Sequence, residues 1–76
     1  MGNKQYVDKE LLWRIGDRIK TLREEKGITQ EKFLHETDIH IGRIERAGRN
    51  ISISTLSRIC KHLEITLEDF FAKIKD

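Results

Sequence analysis

The sequence predicts an all-α domain of five short helices, and three observations carry that expectation. Apolar residues recur at three- and four-residue spacing in one segment after another, and no segment alternates with period two over a useful length. Residues suited to helix starts, namely Asp8, Thr29, Thr37, Ser52 and Thr66, stand just ahead of those segments. The chain contains no proline, so no helix meets an obligatory break.

Asp8 is the expected cap of a first helix that runs to about Lys26, with Val7 and Leu12 placed as a hydrophobic staple. Leu11, Leu12, Ile15, Ile19 and Leu22 are its apolar positions. Gly27 ends it, and Lys26 places a cation where the helix dipole favours one. Thr29 caps a second helix that ends near Glu36, with Ile28 and Phe33 as its staple. Thr37 caps a third, over about residues 38–46, with Ile41 and Ile44 facing inward. Ala47-Gly48-Arg49-Asn50 reads as a turn. Ser52 or Ser54 caps a fourth helix, in which Leu56, Ile59, Cys60 and Leu63 fall at i, i+3, i+4 and i+7, a buried stripe. Thr66 and Asp69 are spaced as a capping box for a fifth, with Ile65 and Phe70 as staple and Phe70, Phe71 and Ile74 as apolar face. Residues 1–7 are expected to be disordered or loosely attached, and 8–76 to form one domain.

A chain of 76 residues forms a small domain. Such a domain buries only about 60% of its unfolded surface, so it needs good local helices or a partner subunit. Apolar and charged residues each make up 37%, which suits a thin core under a heavily charged surface. The single cysteine, Cys60, cannot form an internal disulfide and favours a reducing compartment. No apolar run approaches the roughly 18 residues of a membrane span, and the polar start lacks the apolar stretch of a signal peptide. These features lead us to expect a cytoplasmic protein with no membrane association. The net charge is +2, but it is unevenly spread: residues 1–63 carry 13 Lys and Arg against 9 Asp and Glu, whereas residues 64–76 carry 2 against 4. A local basic excess fits a nucleic-acid face separate from an acidic packing end.

The functional signal lies between Thr29 and Arg46. A capped helix, a tight junction at Thr37-Asp38 and a second helix rich in arginine make a helix-turn-helix, the unit that sets one helix in the major groove of DNA. The wider sequence resembles the phage-repressor and Cro-like (xenobiotic-response-element-like) helix-turn-helix regulators. The resemblance runs through Ile15-Gly16-Asp17-Arg18-Ile19-Lys20, Gly27-Ile28-Thr29-Gln30-Glu31, Ile41-Gly42-Arg43-Ile44-Glu45-Arg46 and Leu63-Glu64-Ile65-Thr66-Leu67-Glu68-Asp69-Phe70-Phe71. It spans roughly residues 14–72 and implies a lambda-repressor-like domain whose second and third helices bind double-stranded DNA.

The resemblance also implies that Gln30, at the start of helix two, contacts phosphate. It further implies that Arg23 and Glu45 form a salt bridge between helices one and three. Thr37, Asp38, Ile39 and His40, at the start of helix three, would face base edges, with Arg43 one turn on. Arginine bonds guanine O6 and N7 bidentately, so Arg43 is the leading reader; its competing role is a phosphate-paired or solvated arginine. Asp38 fits a first-turn dipole partner better than a base contact. Arg46, Arg49 and Asn50 follow the recognition helix and are expected on the phosphate backbone, which positions without specifying sequence. The chain departs from the family by being three residues shorter between Gln30 and Arg43. The expected adjustment is a helix two that loses almost a turn, with Thr37 capping helix three directly. Gly42 falls inside helix three at a cost of about 1 kcal/mol against alanine; either it lets the backbone approach DNA or a neighbouring helix closely, or it is tolerated for no functional reason.

His35 and His40 are five residues apart, not the four of a helical zinc motif, so no metal site is expected. Cys60 belongs to the apolar stripe, and no phosphate-binding glycine loop exists; the reading includes no enzyme, cofactor or small-molecule effector. Two function classes remain: a transcriptional regulator that binds a two-fold operator as a homodimer, and a non-enzymatic interaction module of the antitoxin or adaptor type. The arginines at 43, 46 and 49 favour the first. The expected dimer surface is the C-terminal helix, through Phe71 and Ile74, with Leu11 and Trp13 adding to it.

Overall fold

In the computed structural model, which describes residues 6–74, five α-helices follow one another: α1 (Lys9–Glu25), α2 (Gln30–Thr37), α3 (Ile41–Glu45), α4 (Ile53–His62) and α5 (Leu67–Ala72). Among the described residues there is no strand. Four of the starts are capped by side chains that accept a backbone N–H otherwise without a partner. Asp8 accepts from Leu11, Thr29 from Lys32, Ser52 from Thr55 and Thr66 from Asp69, each at 3.0 Å. Ser52, not Ser54, is therefore the cap of α4. The N-terminal segment lies outside the described residues up to residue 5. Within it, the Tyr6 carbonyl accepts a hydrogen bond from the Asn50 amide at 2.9 Å.

One core joins all five helices. Ile15 and Ile19 of α1, Phe33 of α2, Ile41 of α3, the whole stripe of α4 and Phe70 of α5 are buried together. The stripe includes Cys60, and burial pushes its thiol pKa up. Gly16 sets how closely α3 lies on α1. A Cβ there would meet the Glu45 and Ile44 carbonyl oxygens at 2.9 and 3.0 Å, and backbone in that position has little room to give.

The turn between α2 and α3 differs from expectation. Thr37 is the last residue of α2 and does not cap α3. Its hydroxyl donates to the Phe33 carbonyl at 2.7 Å and accepts from the Ile39 N–H at 3.1 Å. Asp38 takes the left-handed conformation (φ 62°), which a short polar side chain tolerates, and its N–H donates to the Leu34 carbonyl. Ile39 turns into the core at 7% exposure, and α3 starts at Ile41 with His40 as a cap that makes no side-chain bond. α2 thus runs one residue past its expected end, to eight residues, while α3 keeps only five residues of the expected span 38–46. Magnitudes explain the choice. Burying an isoleucine is worth about 1.5–3 kcal/mol. A threonine cap is worth about 1 kcal/mol, so the turn forms where Ile39 reaches the core.

Candidate nucleic-acid interface

The N-terminus of α2 and the exposed side of α3 form one open groove. Gln30 and Glu31 line it from α2, and His40, Gly42, Arg43 and Arg46 from α3 and its cap. Arg43 and Arg46 continue with Gly48 and Arg49 into a second shallow surface. All three arginines are exposed, and among the described residues no carboxylate pairs with them. Uncompensated guanidinium groups on one face produce the positive potential that attracts polyanions.

A buried ion pair holds α3 in place. Arg23 Nε donates to Glu45 Oε2 at 2.8 Å and Arg23 Nη2 to Glu45 Oε1 at 3.0 Å, a bidentate pair. Both side chains are nearly buried, at 7% and 5% exposure. Arg23 Nη1 donates to the Ile28 carbonyl at 2.7 Å, so the same guanidinium also fixes the loop before α2. The hydrogen bonds with Glu45 raise the Arg23 pKa above the ordinary arginine value, against the opposing effect of burial. Gln30 joins the network by donating from Nε2 to Glu45 Oε1 at 3.0 Å.

The structure sorts the sequence-derived residues into groups. His40 and Arg43 share the groove. Ile39 does not: it is buried, and as a base reader it is withdrawn, because removing an isoleucine from the core to reach DNA would forfeit its burial. Thr37 lines a different hollow with Glu36, Arg58, Lys61 and His62, and its carbonyl accepts from Arg58 Nη2 at 2.8 Å. Asp38 is exposed at the turn. Among the expected phosphate contacts, Gln30 and Arg46 line the groove and Arg49 the adjoining surface, whereas the Asn50 amide is engaged by Tyr6.

The four residues expected at a subunit contact separate onto two surfaces. Leu11 and Phe71 line an apolar groove with Ile51, Ile53 and Leu56. Trp13 and Ile74 lie on another surface among Arg14, Asp17, Arg18 and Lys73. Ile53, at 66% exposure, is a large apolar residue that sequence reasoning passed over. Its position one turn before Leu56 resembles more of the buried stripe, and only the tertiary structure shows that it is left outside. Arg58 was also missed, since its partner lies 21 residues away and leaves no local trace.

The pattern of the Helix-turn-helix family matches residues 19–70. The control protein C.MunI of Mycoplasma sp is 36% identical, over 82% of this chain and 89% of that protein. The restriction-modification controller protein C.Esp1396I has been solved as a tetramer in complex with its natural 35 base-pair operator. That structure is 38% identical, with a TM-score of 0.73 over 82% of this chain and 86% of its own. The wild-type controller has also been solved, with the same identity and TM-score over 83% of its chain. With α2, the turn and α3 all inside the matched span, this protein belongs to the Helix-turn-helix family, in the Cro-like group.

Proposed function

We propose that this protein is a sequence-specific, double-stranded-DNA-binding transcriptional regulator of the restriction-modification controller type, acting as a homodimer on a two-fold operator. The observation that carries this reading is the set of exposed, uncompensated arginines at 43, 46 and 49 around an α3 clamped by a buried ion pair. The likeness to a controller solved on its operator supports it. No enzymatic role is part of the reading. Because α3 has only five residues, direct base readout narrows to Arg43 and His40, while Gln30, Arg46 and Arg49 engage phosphates. A short readout per subunit makes a second subunit more necessary for specificity, with half-sites about 34 Å apart. The dimer face is the apolar groove of Leu11, Ile53 and Phe71.

The test starts with sites selected from a random duplex pool, followed by titration of variants. Arg43→Ala should weaken binding by about 1–3 kcal/mol and relax preference at one base position. Arg49→Ala should weaken binding to all sequences and reduce the slope of log affinity against log salt by about one. A wild-type protein that shows no preference for any selected site over random duplex would overturn the proposal.

A further inference from the structure

Gly42 is the second residue of the five-residue α3, and the structure gives it a specific neighbour. A Cβ built on Gly42 would lie 3.0 Å from Oε1, 3.3 Å from Cδ and 3.5 Å from Nε2 of Gln30. The Gln30 side chain therefore lies across the surface of α3 in the space a side chain at 42 would fill. From there its Nε2 donates to Glu45 Oε1 at 3.0 Å, and that oxygen is itself fixed by Arg23 Nη2 at 3.0 Å. A carboxamide nitrogen carries two hydrogens. Glu45 takes one, which leaves the second for a ligand in the groove shared with His40, Arg43 and Arg46.

We infer that Gly42 is a positioning residue: its missing side chain lets Gln30 fold over α3, where Glu45 orients the amide to donate its remaining N–H to a DNA phosphate. The inference rests on the reading of this face as a DNA interface, but its steric part stands apart from that reading. Gly42 differs from Gly16 in this respect. At Gly16 the obstacle to a Cβ is backbone, so the fold resists. At Gly42 the obstacle is the far end of a flexible side chain, so Gly42→Ala should leave the fold intact and simply displace the amide.

Three variants test this: Gly42→Ala, Gln30→Ala and the pair together. In the free protein, the side-chain amide resonances of Gln30 should move in Gly42→Ala while helical circular dichroism is unchanged. On the selected duplex, Gln30→Ala should lose about tenfold in affinity, the scale of one hydrogen bond to a charged group. The loss should be equal across sequences, with the salt slope unchanged because the amide carries no charge to release counterions. Gly42→Ala should show a loss of the same kind, and adding it to Gln30→Ala should change nothing further. If Gly42→Ala weakens binding as much in the Gln30→Ala background, its Cβ acts on DNA directly and the inference fails. Unmoved Gln30 resonances in Gly42→Ala overturn it whatever the DNA result. Wild-type protein that binds no duplex selectively would instead overturn the DNA reading, and with it the phosphate role of Gln30, while the resonances still decide the steric link.

Discussion

Glu45 accepts three hydrogen bonds from two residues, two from Arg23 and one from Gln30. This single carboxylate ties α1, α2 and α3 to one another. Because both charges of the pair are nearly buried, removing one leaves the other uncompensated in a poorly solvated place. Glu45→Ala should therefore cost about 3–5 kcal/mol. That is a large part of the roughly 5–15 kcal/mol that holds an ordinary domain together. Urea unfolding followed by circular dichroism measures it, and a loss below about 1 kcal/mol would place the pair among exposed ion pairs. Ala47 presents the opposite case, a residue where stability is open to improvement. It adopts φ 60° at the end of α3, a conformation that a Cβ disfavours by about 1–2 kcal/mol. Ala47→Gly should raise stability by somewhat less than that, since glycine also gains freedom in the unfolded chain. An unchanged or lowered unfolding midpoint would show that the left-handed turn is not strained.

At the scale of elements, the helix-turn-helix depends on how closely α3 lies on α1. Gly16→Ala places a methyl group 2.9 Å from the Glu45 carbonyl oxygen. Overpacking of this kind costs about 1–3 kcal/mol. Here it should also push α3 outward and weaken the ion pair, so DNA affinity and thermal stability should fall together. Full DNA affinity in a destabilised variant would show that α3 keeps its place. Local features made much of this architecture legible in the sequence. The four side-chain caps act within three residues of themselves, and the α4 stripe repeats at helical spacing, so both can be read without knowing the fold. The boundary between α2 and α3 was not legible, because Thr37 suits either a cap or a last turn. The burial of Ile39 decides between them, and that is a tertiary event. The Arg23–Glu45 pair was placed by family resemblance, whereas the reach of Gln30 over Gly42, the hold of Arg58 on Thr37 and the close approach at Gly16 are long-range and silent in sequence. One separation was readable and missed. Leu11 and Trp13 are two residues apart, about 200° around a helix, so they do not share a face.

The whole molecule is a small domain that leaves large apolar side chains outside its core. Phe71 is 37% exposed and Ile53 66%, and both border the groove that Leu11 and Leu56 floor. An apolar patch of this kind marks an interaction surface on a soluble protein. A two-fold contact would bury the same patch on both copies and supply the second recognition helix that a five-residue α3 needs. Phe71→Lys or Ile53→Lys should therefore convert a dimer into a 9.0 kDa monomer in sedimentation at tens of micromolar, with helical content retained. Operator affinity should fall steeply in the same variants, while the weaker binding to random duplex, which each domain makes alone, should change little. The single tryptophan tells which surface is used, because Trp13 is 59% exposed on the other surface, with Ile74 among charged residues. If the Ile53–Phe71 groove is the contact, Trp13 emission should stay that of a solvated indole as concentration rises through the association range. A blue shift that tracks dimer formation, together with a dimer that survives Ile53→Lys, would move the interface to the Trp13 face.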